Sequence, residues 1–161
     1  MLAVSGALNL KMNGPSFKPF KITKPGGSYV RYEPEDSADA ELQRRTVYRM
    51  NVDTGGDPML DALDCPVPAV KTPKRALTTT PLQALSLMNG AFANRMAKTF
   101  ATRIQKESNG VDDQIERAFL LALGRKPTQS ERTRSRDLVE KENLEMLCWG
   151  LMNATEFIEV E

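Results

Sequence analysis

No histidine occurs anywhere in this chain of 161 residues, and that absence removes several kinds of chemistry at once. A Ser-His-Asp or Cys-His mechanism needs an imidazole, and so do His-ligated zinc and the axial ligand of a C-x-x-C-H haem site. Any catalysis by these residues would rest on carboxylates, Lys, Tyr or Cys. Cysteine is almost as scarce: Cys65 and Cys148 are the two in the chain, and they form no C-x-x-C. Two buried free thiols suit a reducing compartment, and a disulfide closing a long loop suits an oxidising one. Excess charge of either sign is also missing, with 22 Lys and Arg against 21 Asp and Glu, so electrostatics give no reason to expect nucleic acid or an anionic membrane as partner. No apolar run reaches the roughly 18 residues of a membrane-crossing helix. The opening "MLAVSGALNL" has no basic n-region and too short an apolar run for a signal peptide, and reads instead as the end of a helix that starts further upstream.

What is present is unevenly spread. Proline and glycine, ten of each, fall mostly before residue 82, whereas apolar residues at helical spacing lie almost wholly after it. The charge alternates in blocks: residues 1–32 carry five basic and no acidic side chains, 33–64 three and nine, 65–110 seven and one, and 111–161 seven and eleven. The expected architecture is mainly α and a single domain overall. Residues 1–80 should be an extended, loop-dominated segment wrapping the core, and residues 81–161 a bundle of about four helices.

In the first half, Asn13-Gly14-Pro15 is a turn signal and the stretch to Asp39 has no helical stripe, with a short strand expected at Ser28–Tyr32. Glu41–Asn51 fits a strand or a short helix equally well. Asp53, Asp57, Asp61 and Asp64 invite a calcium reading, but their spacing misses the D-x-[DN]-x-[DN]-G pattern, and solvated turns and caps account for them better. Pro58, Pro66, Pro68 and Pro73 each deny a helix its donor there.

In the second half, "TTTPLQAL" reads as an extended entry at Thr78 and Thr79, an N-cap at Thr80 and an N1 proline at Pro81. The helix predicted from Pro81 to about Lys106 shows Leu85, Met88, Phe92, Met96, Phe100 and Ile104 on one face, with small alanines beside them that admit a close neighbour. Asp112 or Asp113 is the expected N-cap of the next helix, with Ile115, Phe119, Ala122 and Leu123 inward and Gly124 as its left-handed stop. Thr128 and Glu131 form a capping box ahead of a surface helix that runs to about Glu142. Leu144, Leu147, Cys148, Leu151 and Met152 stripe the last long helix, with Trp149 at its flank. Asn153 and Glu156 repeat the capping pattern ahead of Phe157 and Ile158. Asn153-Ala154-Thr155 also spells a glycosylation sequon.

The segments "VSGALNLKMNGPSFKPF", "DPMLDALDCPVP", "PKRALTTTPLQALSLMNGAF", "RAFLLALGRKPTQSE" and "LCWGLMNATEFIEVE" together resemble the C-terminal half of a planctomycete secreted domain family of unknown function. Its members usually follow a haem-binding cytochrome-like module in long extracytoplasmic proteins. The resemblance implies a periplasmic or cell-surface setting, and partners that include an upstream region of the same polypeptide with its haem module. It also implies an oxidising compartment, which makes a disulfide between Cys65 and Cys148 a candidate. It carries over no catalytic residue and no cofactor, since the haem belongs to a separate module.

Three functional readings follow. The first is a non-catalytic helical module that packs against an upstream domain. The second is half of a carboxylate-dependent polysaccharide hydrolase using residues such as Glu33, Asp53, Asp57 or Asp61, because glycosidases need only two carboxylates at a set separation. The third is glycan binding through Tyr29, Tyr32, Tyr48 and Trp149, which requires those rings to be exposed.

Overall fold

The structure is a computed structural model that describes residues 1–26, 29–52, 57–65 and 80–158. Among these, α1 (Leu2–Ser5) leads to a hairpin of β1 (Phe20–Gly26) and β2 (Tyr29–Pro34), then to 3-10 turns at Ala40–Leu42 and Thr46–Tyr48. The helices α2 (Pro58–Ala62), α3 (Pro81–Asn89), α4 (Ala91–Glu107), α5 (Val111–Leu123), α6 (Gln129–Lys141), α7 (Leu144–Met152) and α8 (Thr155–Ile158) follow. The fold is mainly α, with the long helices in the C-terminal half and, among the described residues, one two-stranded sheet. Asp53, Pro66, Pro68, Pro73, Thr78 and Thr79, and the Ser28 start of the predicted strand, lie outside the described residues.

Two compact units divide the chain, one made of residues 1–7 and 88–161 and the other of residues 8–87. The division falls between residues 87 and 88, and the first seven residues belong with the long helices. They do so because Gly6, at φ 76, ends α1 in the left-handed conformation, and Arg103 of α4 donates to the carbonyls of Ala3 (3.2 Å) and Val4 (2.8 Å) at the end of α1.

In the helical unit, α4 lies against α7, α1 packs on α4, and α5 contacts α6 and α7. Met96, Phe100, Ile104, Ile115, Ala118 and Cys148 are fully buried, and Leu144, Leu147, Leu151 and Met152 complete the core from α7. Ala93, Ala97 and Ala101 are buried along α4, where their small side chains let neighbouring backbone approach. Ala122 and Leu123 are only half-buried, and α6 is a surface helix whose one buried residue is Ser135.

The single helix expected from Pro81 to Lys106 is two. Gly90 takes an extended ψ of 131° between α3 and α4, a site where glycine also carries the lowest cost of leaving the helix. Leu85 (56% exposed) and Met88 (44% exposed) are exposed while Gln83 and Leu87 are buried, and Phe92 is half-buried at the start of α4.

In the other unit the hairpin is antiparallel, pairing Phe20 with Pro34 and Ile22 with Tyr32, with a register shift between Thr23 and Gly26. Phe20 packs edge-to-face on Tyr32 with ring centres 5.1 Å apart. Glu41–Asn51 is neither strand nor continuous helix but the two 3-10 turns. Isolated parallel bridges tie Asn9 to Arg44 and Phe17 to Arg49.

Candidate functional site

The densest polar constellation sits where α5 ends, α6 begins and α8 returns. Gly124 stops α5 at φ 70, which frees the chain to turn sharply into Arg125. Three residues later Thr128 caps α6: its hydroxyl accepts from the Glu131 amide (3.3 Å), and a Glu131 carboxylate oxygen accepts from the Thr128 amide (2.7 Å) and hydroxyl (2.8 Å). The same carboxylate accepts two bonds from Arg125, through Nη1 (2.9 Å) and Nη2 (2.8 Å). Arg125 in turn binds Glu156 through Nε (2.7 Å) and Nη2 (2.8 Å), and donates from Nη1 to the Lys126 carbonyl (3.2 Å). All the N–H donors of the guanidinium are thereby used, in the paired geometry that makes Arg–carboxylate contacts strong.

The electrostatic consequence is one-sided. The Arg125 guanidinium, helped by the Thr128 amide and hydroxyl, holds the Glu131 carboxyl down to about 2. It also lowers Glu156 and is itself stabilised as a cation. Further ion pairs repeat the pattern. Glu107 joins Arg103 of α4 (2.7 Å) to Arg117 of α5 (2.8 Å), and Glu116 binds Lys126 (2.7 Å) and Arg132 (3.0 Å). Asp112 pairs with Arg136. The bonds from these cations hold the Glu107, Glu116 and Asp112 carboxyls below their ordinary values. A general acid needs the opposite shift, a carboxyl raised by burial so that it keeps its proton near neutrality.

Several residues singled out in the sequence stand elsewhere than expected. Thr80 does bond the Gln83 amide (3.2 Å), and Gln83 Oε1 accepts from the Thr80 amide (3.0 Å), so Thr80-Pro81-Leu82-Gln83 is a capping box. The N-cap of α5 is Gly110 and not Asp112 or Asp113. Gly110 adopts φ 98, which lets the helix start at Val111 and leaves both aspartates in its first turn, where the helix dipole favours them. Asn153 does not cap α8. It is the C-cap of α7, its side-chain amide donating to the Trp149 carbonyl (2.8 Å), so its partner Glu156 is released to Arg125. The sequon asparagine nitrogen is committed to that bond. Phe157 packs against the core, but Ile158 is exposed.

Of the carboxylates offered for hydrolysis, Glu33 and Asp57 are tied to local partners, and Asp53 lies outside the described residues. Glu33 pairs with Arg31 (3.3 Å); Asp57 caps α2 by accepting from Met59 (3.0 Å) and Leu60 (3.2 Å) and binds Arg49 (3.3 Å). Asp61 lies in the first turn of α2, and Asp64 accepts from the Gln83 side chain (3.1 Å). No group of three or more His, Cys, Asp or Glu side chains suited to a metal ion occurs among the described residues. Three of the four aromatic rings offered for glycan binding are engaged too, and the Tyr29 side chain lies outside the described residues. Tyr32 packs on Phe20, the Arg44 guanidinium lies over Tyr48 (4.2 Å), and the half-buried Trp149 donates from its indole to the Met88 carbonyl (3.1 Å). Cys65 is half-buried in one unit and Cys148 buried in the other, both as free thiols; burial, with Glu145 nearby, pushes the Cys148 thiol up to about 12.

Two organising arginines were not anticipated. Arg125 stands between a helix-stopping glycine and a capping box, and that juxtaposition is a readable signal. Arg44 is buried to 4% exposure and donates to the carbonyls of Lys11, Asn13 and Pro15, a role that no local pattern announces.

Comparison with known protein families shows that the model described as "PSD1: Protein of unknown function (DUF1553)" matches residues 1–139. No curated protein and no solved structure matches the chain.

Proposed function

The chain belongs to the PSD1 family of proteins of unknown function (DUF1553), and on that premise we propose that it serves as a non-catalytic helical module, an interaction or structural element of a multidomain extracytoplasmic bacterial protein. The observation that carries the reading is the use made of Arg125. A guanidinium that spends its donors on Glu131, Glu156 and a backbone carbonyl binds helix ends together and presents nothing to a substrate. The paired Glu107, Glu116 and Asp112 serve the same end by joining neighbouring helices. In this reading the partner is an upstream region of the same polypeptide that includes a haem-binding module, the setting is the periplasm or cell surface, and glycan-degrading proteins are its company. The family resemblance supports that setting.

Two measurements test it. Purified protein incubated with neutral and acidic polysaccharides is expected to release no reducing ends; release that is lost in Asp57→Asn or Asp61→Asn would overturn the non-catalytic role. The DNA preceding the Met1 codon is expected to continue in frame into a C-x-x-C-H module and a signal peptide. A stop codon there, followed by a ribosome-binding site, would sink the multidomain setting.

A further inference from the structure

The chain contains Met12-Asn13-Gly14, Met88-Asn89-Gly90 and Ser108-Asn109-Gly110, three Asn-Gly steps whose intrinsic chemistry is alike. In such a step the backbone nitrogen of the glycine attacks the asparagine side-chain carbonyl carbon. A C–N bond forms, the carboxamide C–N bond breaks, and ammonia leaves from a five-membered succinimide. Water then opens the ring at one of its two carbonyls, giving an aspartyl or an isoaspartyl residue and a new carboxylate. Glycine favours the attack because no Cβ shields its nitrogen. The reaction still requires the Asn–Gly peptide plane to turn until the nitrogen reaches the side chain.

The fold treats the three steps differently. At Asn13 the plane is held through its carbonyl, which accepts from Arg44 Nη2 (2.7 Å), and the preceding peptide plane is held by the Asn13 amide donating to the Tyr48 hydroxyl (3.2 Å). Asn89 lies in the last turn of α3, where helical backbone points the following amide away from the side chain. Asn109 is exposed in the joint between α4 and α5, and among the described residues neither its side chain, nor its carbonyl, nor the Gly110 nitrogen takes part in a hydrogen bond. The neighbouring bonds fall on either side of the reacting plane, from the Gln114 side chain to the Ser108 carbonyl (3.2 Å) and from the Gln114 amide to the Gly110 carbonyl (3.0 Å). A Cβ built at Gly110 meets nothing within 4 Å, as at Gly14, so it is the bonding of the peptide plane and not the space around it that separates these two steps.

We propose that Asn109–Gly110 is a self-modification site of the folded protein, converting to aspartyl and isoaspartyl forms ahead of the other two Asn-Gly steps. The product sets a further carboxylate ahead of Asp112 and Asp113 at the start of α5, and its isoaspartyl form inserts an extra main-chain carbon between two core helices.

The test is a time course of the whole chain at mildly alkaline pH, once folded and once in concentrated urea, read by peptide mapping. The mass change of replacing NH2 by OH reports conversion, and an isoaspartyl-specific methyltransferase distinguishes the two products. In the folded protein, conversion at Asn109 is expected to run several-fold ahead of Asn13 and Asn89, and in urea the three should converge. Equal rates in the folded protein would overturn the proposal. So would an Asn109 lead that persists in urea, because local sequence and not the fold would then set the order.

Discussion

Phe100 shows what a single residue contributes here. It is fully buried on α4 within the core of the helical unit, so Phe100→Ala removes a ring from a packed interior, and a loss of roughly 3–5 kcal/mol is expected in denaturant unfolding. Phe92 lies on the same helix but is half-buried, and its truncation should cost clearly less; equal losses would contradict the packing of α4. The two thiols offer a second contrast at this scale. With the Cys148 thiol pushed up to about 12, almost none of it is thiolate near neutral pH, and its sulfur is enclosed. Native protein treated with a thiol reagent should therefore be modified at Cys65 and spared at Cys148, with both reacting after denaturation under reducing conditions. The same count on unreduced material exported to an oxidising compartment decides whether the two form a bridge there.

Individual elements are governed by their ends. Thr80→Ala removes the bond to the Gln83 amide and should cost about 1 kcal/mol, and Asn143→Ala, which removes the cap to the Met146 amide (2.9 Å), should cost about as much. Equilibrium unfolding of each variant checks the pair, and no loss at Thr80 would mean that the box is not holding α3. These ends were largely legible in the sequence, because Ser, Thr, Asn and Asp at a cap act through bonds spanning only two or three residues. Position 90 was not. A periodic stripe through Leu85, Met88 and Phe92 looks continuous until the glycine is allowed to leave the helix, and nothing local states that it must. Asn153 was misread for a related reason: the same amide can serve the helix before it or the one after it, and Arg125 decides the matter by claiming Glu156.

Across the whole helical unit, the ion pairs make stability depend on acid. Glu131 falls from the ordinary 4.5 to about 2 in the folded chain, so its contribution is fully present above the unfolded value and is lost as pH drops toward the folded one. The unfolding midpoint is accordingly expected to hold above about pH 5 and to decline between about pH 4.5 and 2. In Glu131→Gln that decline should be shallower, since the variant has no carboxylate to protonate at this position. A curve identical to the parent's would show that Arg125 and Glu131 contribute no linkage. High salt should weaken the exposed pairs in the same direction, because solvent and counter-ions screen them.

By itself the sequence determined the class of fold, the positions of most helix ends and the bulk of the core, since periodicity and capping act within one or two turns of helix. It also excluded imidazole chemistry from these residues outright. Only the tertiary structure decided which of the apolar residues of α3 are covered, where the hairpin partner of Tyr29–Pro34 comes from, and that α1 belongs with helices nearly ninety residues away. The same is true of Arg125 and Arg44, whose partners lie as far as 31 and 33 positions distant. A guanidinium reaches whatever carboxylate or carbonyl the fold brings near it, and that choice is made by packing between elements rather than by neighbours along the chain.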